Sequence, residues 1–176
     1  MISTQELFES SNNLPWRKRA EIYILHNNNL VVGKANEGFV GYNIPGGGVD
    51  EGEKPIDAAK RESLEEIGVK VKNLKSIKTL KRIEYSIPTD VPQQQINHFK
   101  NLIKKYKGAE FYTFIGEYNG HVKQFRVSEM DTYKTIEITI SEAINFYSKP
   151  INFNDNYAKK KATYVVEILN MIKNKL

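Results

Sequence analysis

The stretch Gly46–Gly68, GGGVDEGEKPIDAAKRESLEEIG, decides how this chain is read. Its second part, Pro55–Ile67, carries the marks of one helix. Pro55 suits the first helical position, Asp57 suits the positive end of the helix dipole, and Gly68 is a natural stop. Lys54 is a poor N-cap, so that end is less well signalled. At about 100° per residue, Glu65 lies roughly −60° and Glu66 roughly +40° from Glu62, so the three carboxylates share a face. Ile56, Ala59, Ser63 and Ile67 fall between roughly +60° and +140° and form an adjacent packing stripe. Ser63 is the polar member of that stripe, and its hydroxyl is expected to bond back to the Ala59 carbonyl.

Like charges three and four residues apart cost about 0.2–0.5 kcal/mol each, so the crowding alone fits a solvated helix face. The preceding loop changes the reading. Gly46, Gly47 and Gly48 lie between a strand pattern and this helix. They are expected to allow close backbone approach and positive φ angles, with amides or carbonyls free to meet a phosphate or a metal. Clustered carboxylates on a rigid helix make an oxygen-rich site for a hard cation such as Mg²⁺ or Mn²⁺. Together these features point to metal-assisted chemistry on a phosphate compound.

The stretch resembles the Nudix (MutT-like) hydrolase box, G-x5-E-x7-R-E-U-x-E-E-x-G-U, where U is a bulky apolar residue. Gly47, Glu53, Arg61, Glu62, Glu65, Glu66, Gly68 and Val69 match, and Ser63 in the first U position is the one departure. The resemblance implies an α/β/α sandwich with a mixed β-sheet, in which the box forms a loop–helix–loop. It implies divalent-metal-dependent hydrolysis of a diphosphate bond in a nucleoside diphosphate linked to another moiety. Carried over by position, Glu62, Glu65 and Glu66 would hold Mg²⁺ or Mn²⁺, and Gly47 would add a carbonyl. Arg61 would orient a carboxylate, and Glu53 would brace the loop against the helix. Gly46, Gly47 and Gly48 would line the substrate site. The general base would be a box glutamate or a later carboxylate, with Glu110, Glu117 and Glu129 as candidates.

Composition is consistent with this reading. The chain has 176 residues, 40% hydrophobic and 27% charged, as in an ordinary globular protein. There is no cysteine, which excludes disulfide scaffolds, thiolate zinc sites and cysteine nucleophiles. It also argues against the family's isomerase branch acting on isopentenyl diphosphate. The net charge of +5 suits a polyanionic ligand or only a Lys-rich surface. No signal-peptide pattern opens the sequence, and no run approaches the roughly 18 apolar residues of a membrane span. A soluble cytoplasmic protein with a small nucleotide substrate is therefore expected, with no membrane partner. A homodimer is compatible with the sequence. An RNA 5′ end is the alternative substrate, not the favoured one, and a nucleotide-sensing module without catalysis is a further alternative.

One domain over 1–176 is expected, with an N-terminal arm or helix (1–15), an inserted helix (92–108) and a C-terminal helix (156–174). Arg19–Leu25 and Leu30–Lys34 read as a hairpin around an Asn-rich turn. Further strands are expected at Phe39–Ile44, within Val69–Ile87, and at Glu110–Tyr118 and Lys134–Ile140, followed by a short helix capped by Ser141. The inserted helix reads as a cover for the sheet, a lid or a dimer contact. His26, His98 and His121 are scattered and read as non-catalytic. Tyr85 lies at an offset that resembles a base-stacking tyrosine of some family members, but an ordinary strand tyrosine is favoured. Tyr23, Phe39, Tyr42, Tyr112 and Phe114 could stack a base, and most read as core. The run Lys159-Lys160-Lys161 reads as a solvated helix end.

Overall fold

The computed structural model describes residues 13–35, 41–88, 93–121, 133–149 and 155–176. Phe39, Glu129 and most of the 1–15 arm lie outside the described residues. The described elements are β1 (Trp16–His26), β2 (Asn29–Ala35), β3 (Tyr42–Asn43), β4 (Gly46–Gly48), α1 (Pro55–Ile67), β5 (Lys72–Glu84), α2 (Gln93–Ile103), β6 (Gly108–Glu117), β7 (Tyr133–Ile138), α3 (Ile140–Tyr147) and α4 (Asn156–Lys173).

The hairpin forms as expected. Asn27 and Asn28 take positive φ angles of 48° and 64°, which asparagine tolerates and a tight two-residue turn requires. β1 pairs in parallel with β6 and antiparallel with β2, so the sheet is mixed. β5 lies outside β6, and β7 lies outside β2. Away from their turn β1 and β2 part, and the segment Tyr42–Gly48 fills the gap. β3 pairs with Gly33 and Lys34 of β2, and β4 pairs with Arg19, Ala20 and Glu21 of β1.

Alternation along β1 divides the core between two faces. Ala20, Ile22 and Ile24 pack with Ala58, Ala59 and Ile67 of α1. Tyr23 packs on the other face with Ala143 of α3 and with Val165, Ile168 and Leu169 of α4. The helices therefore cover both faces of the sheet, as the sandwich requires.

Two local expectations change. Thr139, not Ser141, caps α3, because its hydroxyl accepts the Glu142 amide at 3.0 Å. Ser63 is fully buried, and its hydroxyl lies 2.9 Å from the Lys60 carbonyl and 2.9 Å from the Val69 carbonyl rather than bonding to Ala59. The Val69 contact explains the polar residue in a packing stripe. Gly68 turns left-handed (φ 66°), and Ser63 then ties the returning chain to the helix it has just left.

Replacing Ser63 by Ala is expected to lower the unfolding free energy by about 1–3 kcal/mol, because a buried carbonyl loses its donor. Ser63→Leu, the residue type of the family pattern, is expected to cost at least as much through overpacking. Urea denaturation of both variants checks this, and wild-type midpoints would contradict it.

Candidate active site

β4 explains why this loop needs glycine, and the reason is crowding rather than turning. Gly46–Gly48 is a short strand, and among the described glycines positive φ occurs at Gly52 and Gly68 instead. A Cβ on Gly46 would lie 2.5 Å from the Ala20 carbonyl oxygen. A Cβ on Gly47 would lie 2.0 Å from Oε1 of Glu62. A side chain at Gly47 would displace the Glu62 carboxylate from its place against the backbone.

Arg61 links the loop to the helix. Its Nε and Nη2 grip the two oxygens of Glu53 at 3.1 Å each, and Nη2 also donates to the Gly48 carbonyl at 2.9 Å. Its Nη1 donates to Glu62 at 2.8 Å and to Glu65 at 3.0 Å. Glu53 in turn accepts the Asp50 amide at 3.0 Å, which closes the loop on itself. The bonds from Arg61, then that from the Asp50 amide, hold the Glu53 carboxyl below its ordinary range. The Glu53 carboxylate, more than any other group, drives the Arg61 guanidinium further towards its charged form.

Glu66 lies apart from this clamp. Its Oε2 accepts the Gly46 amide at 3.0 Å and the Asn43 side-chain amide at 3.3 Å. Burial pushes its carboxyl up to about 7 against the Gly46 hydrogen bond, and the neighbouring Glu62 charge pushes in the same direction. Of the three box glutamates, Glu62 and Glu66 therefore face the glycine strand, whereas the Glu65 side chain is 58% exposed and drawn to Arg61. The glycine amides are less free than the sequence suggested. The Gly46 N–H goes to Glu66, its carbonyl to Arg19 at 3.2 Å, and the Gly48 carbonyl to Arg61.

The oxygen donors here fit a hard divalent cation in kind. The Glu62 charge adds to burial in making the Glu66 carboxyl harder to ionise, which a cation would reverse, and a glycine opens the backbone beside Glu62. Among the described residues no three acidic or histidine side chains converge as a ready cage. Glu62 and Glu65 both accept from Nη1 of Arg61, and Glu66 is held separately by Gly46 and Asn43.

The later carboxylates separate clearly. Glu110 lies at the box end of the sheet, opposite Lys18, but Arg82 holds it at 2.7 Å and the Tyr112 hydroxyl at 2.8 Å. Burial raises its carboxyl, yet those two partners outweigh burial and leave it below the ordinary range. Glu117 pairs with Leu25, six residues along β1 from Arg19 and so about 20 Å away along the strand. His26 contacts Glu137 at the hairpin end, and His98 and His121 are exposed. Tyr85 packs against Tyr157 at 5.0 Å and Phe99 at 6.2 Å.

A cavity of about 460 Å³ opens beside the box, between β1, α3 and α4. Asn43 and Gly46 belong to its wall, so it begins where the Glu66 carboxylate is held. Tyr42 lines it, as the base-stacking expectation allowed, whereas Tyr23 and Phe114 are core. Phe99 of α2 also lines it, so the inserted helix covers this side of the sheet.

The sequence reading missed three cavity residues: Arg19, Glu21 and Lys161. Glu21 is 4% exposed and in contact with the Lys161 ammonium. Lys159 and Lys160 are exposed, but Lys161 turns inward and lies 4.3 Å from the Phe111 ring centroid. Burial, then the Arg19 charge, pulls its ammonium well below the ordinary lysine range, while contact with Glu21 favours the charged form. A signal was available. Lys161 stands at helical spacing with Ala158, Ala162 and Val165, on the stripe that packs.

Comparison with known proteins gives the family and the fold. The model of the NUDIX domain family matches residues 15–150. The chain is 30% identical over 105 residues to an RNA pyrophosphohydrolase of Bartonella clarridgeiae, covering 55% of this chain and 57% of that protein. It is 30% identical over 125 residues to the RNA pyrophosphohydrolase of Bartonella henselae, covering 63% and 68%. The chain thus spans little more than half the length of the first of these relatives. In three dimensions it resembles a NUDIX hydrolase from Nitrosomonas europaea (TM-score 0.55, 14% identity, 87% and 89% covered). It also resembles the mutator MutT protein of Bacillus halodurans (TM-score 0.52, 16% identity, 87% and 82% covered). At these identities the structural likeness speaks to the fold.

Arg61→Lys keeps the charge and loses the planar fork. The expected result is a loss of about 1–3 kcal/mol in unfolding free energy and faster proteolysis within Asp50–Lys54. Limited digestion followed by mass spectrometry reads the cleavage sites, and a wild-type pattern would contradict the expectation.

Proposed function

The chain belongs to the NUDIX family, and from that premise we propose that it is a divalent-metal-dependent hydrolase of a diphosphate bond in a nucleoside diphosphate linked to another moiety. The observation that carries this reading is the clamp of Arg61 on Glu53 and the Gly48 carbonyl. It holds Glu62 in the space left by the missing side chain of Gly47, with Glu66 anchored one strand residue away. Glu62, Glu65 and Glu66, with the Gly47 carbonyl, hold Mg²⁺ or Mn²⁺. When bound, the cation neutralises charge on the phosphate oxygens and makes a water more acidic.

The chain's own residues do the rest. Arg61 is a positioning residue, because all its donors face the loop and its neighbouring carboxylates. Gly46 and Asn43, which line the cavity, also hold the Glu66 carboxylate, so the phosphate chain of a nucleotide seated in the cavity would reach the box past these two residues. The proton of the attacking water goes to a box carboxylate or to Glu129. Glu110 is committed to Arg82 and Tyr112, and Glu117 lies at the wrong end of the sheet. A cytoplasmic enzyme with a small-molecule substrate follows from this reading.

A second reading, removal of pyrophosphate or a cap from an RNA 5′ end, is favoured by the names of the curated relatives. It is also favoured by a basic and aromatic surface beside the box loop. Arg82 and Lys107 flank the Trp16 ring at 5.4 and 5.7 Å, and Arg17 and Lys18 line the adjoining groove.

Wild-type protein is incubated with Mg²⁺ and a panel of nucleoside triphosphates, ADP-ribose, diadenosine polyphosphates, nucleotide sugars, and triphosphorylated and capped RNA. Hydrolysis of at least one small nucleotide is expected, with loss on chelation and return on adding Mg²⁺ or Mn²⁺. Turnover restricted to RNA selects the second reading. Binding without turnover of any compound, in either metal, selects a sensing module and overturns catalysis. Glu66→Gln is expected to lower kcat by at least about 100-fold, consistent with loss of a charge acting in the transition state. Gly47→Ala is expected to lower activity at least about tenfold while the fold persists, since its Cβ would occupy the place of the Glu62 carboxylate. Circular dichroism establishes folding of both variants before rates are compared.

A further inference from the structure

Two residues that line the cavity between β1, α3 and α4 each carry a buried polar atom with no hydrogen-bond partner among the described residues: Nε of Arg19 and Oε2 of Glu21. Both are buried, and Glu21 is 4% exposed. A buried carboxylate oxygen without a donor costs free energy, so such an atom on a residue lining a cavity marks a candidate place for a ligand to supply the missing bond. Glu21 is not simply half of a structural ion pair. One of its oxygens contacts Lys161, and the other is left over. Aromatic side chains complete the wall, with Tyr42 and Phe146 in edge contact at 5.2 Å and Tyr157 nearby on α4. A flat heterocycle would find ring faces at the wall and polar groups on β1 and α4.

We propose that Arg19, Glu21 and Lys161 read the base of a bound nucleotide, selecting a lactam edge in which a ring N–H stands beside a carbonyl, as in guanine or uracil. This deepens the diphosphohydrolase reading and rests on it. Glu21 Oε2 is an acceptor and takes the ring N–H. Arg19 Nε, which has no partner, and Lys161 Nζ, which contacts the other Glu21 oxygen, are donors on residues that line the same cavity. A carbonyl oxygen has two lone pairs and accepts from both, whereas the ring nitrogen of adenine or cytosine has one and leaves a donor unpaired. The site is also joined to the box. Arg19 donates to the Gly46 carbonyl while the Gly46 amide donates to Glu66, so one residue connects the base-reading group and the acidic helix. Specificity of this kind is strong, because a wrong edge leaves buried polar groups unmet.

Nucleoside monophosphates test the proposal without turnover, since they contain no diphosphate bond. Isothermal titration calorimetry with GMP, UMP, AMP and CMP is expected to give GMP and UMP about 10- to 100-fold tighter binding than AMP and CMP, the range of one to two hydrogen bonds to charged groups. GMP methylated at ring N1 is expected to fall to the level of AMP. Glu21→Gln is expected to remove at least about tenfold of the preference, and Lys161→Met to do the same from the donor side. Thermal unfolding identifies the folded variants. If Glu21→Gln does not fold, Lys161→Met and the methylated ligand carry the test. Equal binding of all four bases, no binding of any, or a preference unchanged in a folded variant overturns the proposal. A purely structural Glu21–Lys161 pair would shift the melting temperature and leave the preference intact. The diphosphohydrolase reading stands or falls separately, on turnover of the substrate panel by wild-type protein.

Discussion

Arg61 uses every N–H donor of its guanidinium, and the rest of the site depends on where those donors point. The fork on Glu53 closes the loop that follows β4. The bond to the Gly48 carbonyl fixes that loop to the sheet, and the bonds to Glu62 and Glu65 hold neighbouring carboxylates on α1. A point charge such as lysine could neutralise the same carboxylates but could not span strand, loop and helix in one plane. The clamp explains why like charges stand close together here without unravelling the helix. Their mutual repulsion, about 0.2–0.5 kcal/mol for each pair, is small beside several charge-assisted hydrogen bonds to one cation.

The sheet separates two chemistries and brings them together at one point. Alternation along β1 sends Ala20, Ile22 and Ile24 towards α1, while Glu21 and Tyr23 turn towards α3 and α4. β4 threads the gap where β1 and β2 part, and it is thin because it is glycine. Its amide at Gly46 faces the acidic helix, and its carbonyl faces Arg19 and the cavity. A bulkier strand would push apart the cavity on one side of it and the acidic helix on the other. Ser63 serves the same economy of space, since a small hydroxyl both packs and holds the chain that returns from α1.

Much of the box was legible from spacing. Helix α1 runs over the residues that the capping and stop signals mark, and the face shared by Glu62 and Glu66 follows from 100° per residue. The glycines were legible as a place of close backbone approach, which the structure shows, whereas the positive φ angles also expected there occur at Gly52 and Gly68 instead. Glu65 was legible as a member of the acidic face but not as the member held aside by Arg61. Ser63 could be assigned to the buried stripe, but its acceptors could not, because Val69 comes within reach only after Gly68 reverses the chain.

The sequence by itself determined what is local: the hairpin and its Asn turn, the acidic helix and its glycine stop, and the mixture of strands and helices. These follow from periodicities and backbone preferences that act over a few residues. Only the tertiary structure decided what depends on pairing between distant segments. Lys161 read as the end of a solvated lysine run, yet α4 lays it against Glu21, 140 positions earlier. Arg19 and Glu21 read as charges at the start of a strand, yet β6 on one side and β4 on the other place them between layers. The physical reason is that a charge's partner, and the water it loses, depend on which elements pack over it. No spacing along the chain encodes that until the sheet is assembled.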